Sequence, residues 1–112
     1  MPRISLALLA LLLTLFSVAD IARADDTAAL AALRAGAHIA LMRHADAPGG
    51  AGDPPGFRLE DCATQRNLSE KGRADAAKIG ARLKAEGIRI EKILGSPWCR
   101  SMETDRQALA PE

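Results

Sequence analysis

An arginine–histidine pair is the first feature of the sequence that could do chemistry. Arg43 and His44 follow an apolar run, and Arg100 lies in a second polar segment further along the chain. The planar guanidinium of arginine matches phosphoryl oxygens, and a neighbouring imidazole can attack phosphorus. These residues predict phosphoryl transfer, with His44 as nucleophile and both arginines as phosphate ligands. Alternatively, His44 is a buried structural histidine, and the arginines form structural salt bridges with an acidic side chain from the set Asp46, Asp53 and Glu103.

Two predicted strands would bring these residues together. The apolar runs at residues 38–42 and 88–94 are typical of strands buried on both faces of a parallel sheet. Helices are predicted over residues 27–35, from the cap at residues 67–69 to Gly87, and from Trp98 to about Leu109. This order predicts an α/β fold with a right-handed crossover, in which ligands bind at the carboxyl ends of the strands.

A long loop joins the first predicted strand to the second predicted helix. Residues 45–66 are rich in proline and glycine, which no helix or ladder tolerates at that density. Loops of this length in compact domains tend to be functional. Gln65 and Arg66, near its end, are therefore further candidates for substrate contact, with a solvated loop as the alternative.

The N-terminal residues 1–24 are typical of a secretory signal peptide. A basic residue precedes an apolar run, and small residues occupy the positions that determine cleavage after Ala24. We expect an exported protein, periplasmic or secreted, with residues 25–112 as its one domain. The apolar run is too short to span a membrane, so no stable insertion is expected after cleavage. In an oxidising compartment Cys62 and Cys99 could form a disulfide, with two separate thiols as the alternative.

Composition limits the classes of partner and cofactor. The chain has 112 residues, of which 48% are hydrophobic and 26% are charged, so a disordered chain is excluded. Lys+Arg 15 against Asp+Glu 14 gives a formal net charge of +1, which offers no electrostatic reason to expect a nucleic acid or an anionic membrane as partner. Two cysteines and two histidines are a poor zinc set, and no other metal or organic cofactor is implied.

Three short motifs resemble those of a known family. Residues 41–45 resemble the strand and catalytic motif of the histidine phosphatase superfamily, which has the phosphoglycerate-mutase-like fold. Residues 67–72 resemble its second signature, a helix start with Leu-Ser. Residues 96–104 resemble its third, Ser-Pro-x-x-Arg leading to a threonine. The resemblance covers residues 37 to about 110 and is closer to the small exported bacterial members than to the glycolytic mutases.

The resemblance implies a fold, an activity and an incomplete pocket. It implies a three-layer α/β/α fold with a mostly parallel sheet, and hydrolysis of a phosphomonoester through a phosphohistidine at His44, with Arg43 and Arg100 binding phosphate. The expected substrate is a small-molecule or glycolipid phosphomonoester outside the cytoplasm, or a phosphoprotein. Family members carry a second pocket histidine, which nothing after Arg100 supplies, and a carboxylate proton donor, whose expected place neither Glu103 nor Glu112 occupies. The chain is thus expected to match the N-terminal half of that fold; the alternatives are a non-catalytic anion-binding remnant and a fragment with no stable fold.

Overall fold

Three α-helices and a long loop make up the part of the protein that this computed structural model describes, which is residues 25–110. Helix α1 spans Asp26–Ala35, α2 spans Glu70–Ala85 and α3 spans Cys99–Ala108, and a short 3-10 turn covers Cys62–Thr64. Within residues 25–110 there is no β-strand, and strand-like pairing is limited to one isolated bridge between Arg58 and Asp61. The predicted signal peptide, residues 1–24, lies outside the described residues.

Local capping explains where the first two helices begin and end. The Asp25 carboxylate accepts hydrogen bonds from two backbone N–H groups in the first turn of α1, and Gly36 (φ 84°) ends that helix. The Ser69 hydroxyl accepts a hydrogen bond from the N–H of Gly72 at the start of α2. Helix α2 ends just before Gly87 (φ 69°). These helices are confirmed, as is the third one, which begins at Cys99, one residue after its predicted start.

The predicted α/β fold is wrong. Residues 38–42 and 88–94 form no strand, and no backbone hydrogen bond joins the two segments within the described chain. Ile39 and Leu41, predicted to be buried on both faces of a parallel sheet, are 93% and 97% exposed. A strand needs a neighbour that supplies ladder hydrogen bonds, and an isolated pair of strands is at best marginally stable. The three-layer α/β/α arrangement is therefore replaced by an all-helical one.

Small residues let α2 and α3 approach each other closely. A Cβ atom on Gly80 would lie 2.8 Å from the carbonyl oxygen of Ala108, so the absence of a side chain there permits the contact. An ion pair between Arg73 and Glu103 also joins these helices. Within residues 25–110 the buried apolar side chains are few and mostly small: Ala47, Leu68, Ala76, Cys99 and Ala108. This core is thin, so covalent and polar links carry much of the tertiary structure.

A disulfide between Cys62 and Cys99 ties the long loop to the start of α3. The two Cα atoms are 5.6 Å apart, and 37 positions separate the residues in sequence. Of the two alternatives left open by the sequence, the structure has the bridge. None of the helices in residues 25–110 combines the length and the apolarity that are needed to cross a membrane.

Candidate functional site

The imidazole of His44 is half-buried and held by the residue that follows it. Its Nδ1 lies 2.8 Å from the carbonyl oxygen of Ala45. A carbonyl oxygen can only accept, so Nδ1–H donates and, in a neutral imidazole, Nε2 keeps its lone pair. This hydrogen bond selects the tautomer in which Nε2 carries the unprotonated lone pair. His38 makes a similar bond to the carbonyl of Gly36, but it lines neither of the two cavities described below.

An open depression of about 210 Å³ lies beside His44. Three charged residues line it: the arginines Arg43 and Arg66, and Asp46, whose carboxylate accepts a hydrogen bond from the Ser69 hydroxyl. Arg43 is exposed and has no hydrogen-bond or ion-pair partner within residues 25–110. The guanidinium of Arg66 is anchored by two backbone carbonyls, those of Gly52 and Ala47. Two arginines, one of them without a partner in the described residues, thus outnumber one aspartate in the lining of the depression, and this net positive lining suits a phosphate or a similar anion.

Arg100 is held by a carboxylate and does not line this depression. Its Nη1 lies 3.0 Å and 3.1 Å from the two carboxylate oxygens of Asp53, and its guanidinium lies 4.9 Å from the centroid of the Trp98 ring. Both side chains of the ion pair are largely buried. The structure thus has the structural salt bridge that was the alternative to phosphate binding at Arg100. Arg43, by contrast, has no such bridge in the described part of the chain.

Asp53 joins the loop to both arginines. Its carboxylate accepts a hydrogen bond from the backbone N–H of Arg66 at 2.8 Å and pairs with Arg100. The Arg66 N–H is the largest cause of a lowered pKa at Asp53; the charge of Arg100 and its hydrogen bond lower that pKa further, against the effect of burial. The carboxylate stays ionised at neutral pH. In the sequence, Asp53 is one of three acidic candidates for such a salt bridge, and no local pattern distinguishes it from Asp46 and Glu103.

Gln65 is buried and its amide is used within the fold. Its Nε2 donates to the carbonyls of Arg58 and Leu59 at 3.0 Å and 2.9 Å, and its Oε1 accepts a hydrogen bond from the N–H of Cys99 at 3.0 Å. Helix α3 has no side-chain cap of its own at Trp98, so Gln65 caps it from the loop. Of the two predicted substrate contacts in the loop, Arg66 lines the depression, and Gln65 is buried and links the loop to α3 through hydrogen bonds.

A second, smaller cavity of about 100 Å³ lies on another side of His44. Its lining includes three residues of α3, which are Ser101, Thr104 and Asp105. The sequence pattern assigns none of the three to the site. The threonine that follows the Ser-Pro-x-x-Arg motif was the one available signal. His44 therefore lies between a cationic depression and a cavity that α3 lines in part.

Comparisons of the chain with protein-family models, with curated proteins and with solved structures found no match. Within residues 25–110, no group of three or more His, Cys, Asp or Glu side chains could hold a metal ion. What the arrangement can do chemically follows from the imidazole tautomer and from the two guanidinium groups beside it.

Proposed function

We propose that the protein is a phosphomonoester hydrolase that works through a phosphohistidine at His44. In the first step the Nε2 lone pair attacks phosphorus, an N–P bond forms, and the P–O bond to the leaving alcohol breaks. The leaving oxygen takes a proton from solvent. In the second step water attacks phosphorus, the N–P bond breaks, and inorganic phosphate and the original imidazole are regenerated. No metal or organic cofactor enters either step.

The hydrogen bond from His44 Nδ1–H to the carbonyl of Ala45 is the observation that carries this proposal. Because Nδ1 is occupied, the attacking electron pair is on Nε2, the ring nitrogen further from the backbone. A histidine in the other tautomer would first have to exchange its proton. The same carbonyl also stabilises the ring when phosphorylation of Nε2 leaves a positive charge on it.

Arg43 and Arg66 are the proposed phosphate ligands. Both line the depression beside His44, and Arg43 has no competing partner among the described residues. Two guanidinium groups offset the charge of a phosphate dianion and hold its equatorial oxygens while charge spreads over them. In this proposal Arg100 acts through Asp53, which fixes the backbone of Arg66.

The proposed site of action is outside the cytoplasm, on a small-molecule or glycolipid phosphomonoester. The Cys62–Cys99 disulfide supports this location, because thiols in the cytosol are kept reduced. The open depression and its cationic lining support an anionic ligand that reaches the site from solvent.

Replacing His44 by alanine tests the proposal, and His38→Ala is the matched control. Both histidines bond a backbone carbonyl through Nδ1, but only His44 lines the cationic depression. The full chain is incubated with ³²P-labelled p-nitrophenyl phosphate. We expect wild type and His38→Ala to release p-nitrophenol and to carry an acid-labile, alkali-stable label, and His44→Ala to do neither. Equal turnover in His44→Ala refutes the proposal.

A second candidate function is non-catalytic binding of phosphate or a similar anion. Asp46, the one acidic residue in the lining of the depression, accepts a hydrogen bond from the Ser69 hydroxyl and so serves within the fold as an acceptor, not as a proton donor to a leaving group. Calorimetric titration of the full chain with inorganic phosphate, together with the labelling experiment, distinguishes the two functions. Phosphate binding by wild type and His44→Ala, with no label and no turnover in either, favours the binding protein.

A further inference from the structure

The hydroxyl group of Thr104 links the segment that carries His44 to helix α3. Thr104 is 2% exposed. Its Oγ1 accepts a hydrogen bond from the backbone N–H of Ala45 at 3.0 Å, and it donates to the carbonyl of Arg100 at 2.7 Å. Both the donor and an acceptor lone pair of one buried hydroxyl are therefore used.

Only one of these two bonds is explained by helix geometry. Threonine in a helix often donates to the carbonyl four residues earlier, and the bond to Arg100 is of that kind. The bond from Ala45 crosses 59 positions of sequence and brings a segment outside the helix to α3. A residue that merely satisfied its own helix would not make this second contact.

Ala45 is therefore held at both of its backbone polar groups. Its N–H donates to Thr104, and its carbonyl accepts the Nδ1–H of His44. The next residue is fixed as well, because the carbonyl of Asp46 accepts a hydrogen bond from the N–H of Ser69 at the start of α2. The position of the Ala45 carbonyl thus depends on hydrogen bonds to two other segments, and Thr104 makes the one at the residue directly after His44.

We propose that Thr104 is a positioning residue for His44: its hydroxyl holds Ala45 so that the Ala45 carbonyl takes the Nδ1 proton and leaves Nε2 free as the nucleophile. Thr104 touches neither the substrate nor the reacting atoms in this role. The kinetic part of this inference rests on the proposed function of His44. The tautomer part does not, because it concerns the resting protein.

Thr104→Val removes the hydroxyl and keeps the shape of the side chain, and Thr104→Ser keeps the hydroxyl. The tautomer of His44 is read from ¹⁵N chemical shifts and long-range ¹H–¹⁵N correlations of the full chain at about pH 8, where free imidazole is neutral. We expect an unprotonated Nε2 in wild type and Thr104→Ser, and a shift of the proton to Nε2 in Thr104→Val. His38, whose Nδ1 bonds the carbonyl of Gly36, is an internal control that should not change.

The rate of phosphohistidine formation is the second readout. In Thr104→Val we expect it to fall about a hundredfold, as is typical when a reacting group is displaced by about 1 Å. The KM should stay near the wild-type value because Arg43 and Arg66 are unchanged, and Thr104→Ser should restore the rate. A changed tautomer in a protein that never becomes labelled supports the inference and refutes the proposed function.

An unchanged His44 tautomer in folded Thr104→Val overturns the inference. Should Thr104→Val not fold, hydrogen exchange of wild type decides. The Ala45 amide should then exchange much more slowly than the amide of Arg43, which has no partner within residues 25–110. Equal exchange rates at these neighbouring positions would show that the Thr104 hydroxyl does not hold Ala45, and would equally overturn the inference.

Discussion

Removing the Cys62–Cys99 disulfide should cost a large part of the stability of the folded chain. The bridge links residues separated by 37 positions, and the loss of loop-closure entropy in the unfolded chain then corresponds to about 4 kcal/mol. A domain of this size is stable by only about 5–10 kcal/mol in total. The few small apolar side chains in the core cannot compensate for such a loss.

Polar contacts near the disulfide should hold the loop against helix α3 even when the disulfide is reduced. Gln65 caps helix α3 at Cys99, and Asp53 pairs with Arg100, so the loop has two further attachments to the same helix. These attachments act in the folded state, whereas the disulfide acts mainly on the unfolded chain. They should keep the loop in place after reduction while the free energy of unfolding still falls.

Urea denaturation followed by the fluorescence of Trp98, the single tryptophan, measures this effect. We compare wild type, wild type with reductant, and the double variant Cys62→Ala/Cys99→Ala. The reduced wild type and the double variant should both lose about 4 kcal/mol, and reductant should have no effect on the double variant. A loss below about 1 kcal/mol, smaller than the cost of an average point mutation, would refute the reasoning.

Two further variants test the attachment of the loop and the approach of helix α2. Asp53→Asn should lower stability at neutral pH. Because the pKa of Asp53 is lowered in the folded protein, its carboxylate stabilises the fold at pH values above the ordinary pKa of 3.8, and this stabilisation is lost as pH falls through the folded-state pKa. The melting temperatures of wild type and variant, measured against pH, should therefore converge in acid. A constant difference in melting temperature between pH 2 and pH 7 would contradict this. Gly72→Ala should lower the free energy of unfolding by about 1–3 kcal/mol in urea titrations, despite the higher helix propensity of alanine, because the new Cβ would lie 2.3 Å from the backbone oxygen of Asp46. A variant as stable as wild type would show that helix α2 does not pack tightly against the backbone of Asp46.

The helices were predictable because their signals are local. Asp25 caps α1 from the adjacent position, Gly36 ends it, and Ser69 caps α2 through a residue three positions away. Each interaction lies within one helical turn, so the sequence pattern and the structure coincide. The strands were not predictable in the same way. An apolar run such as residues 38–42 signals a tendency to be buried, but pairing depends on neighbours that the run itself does not specify.

The candidate site was predictable in part. Arg43 and His44 are adjacent in sequence, so they lie close together whatever fold the chain adopts. Whether Arg100 would face the anion or a carboxylate could not be read from the pattern, because its partner Asp53 lies 47 positions away in a loop without regular structure. The same holds for Gln65, whose buried amide joins backbone groups that only the folded loop brings together.

The sequence by itself determined the helix ends, the long loop, and the position of an imidazole next to a guanidinium-bearing residue at residues 43–44. Only the tertiary structure decided that Asp53 forms an ion pair with Arg100 and that Arg66 lines the same depression as Arg43 and His44. It also decided that the Thr104 hydroxyl hydrogen-bonds to the backbone N–H of Ala45. The physical reason is the range of the interactions. Caps and breakers act within a few residues, whereas ion pairs and buried hydrogen bonds between distant segments depend on how the whole chain closes on itself.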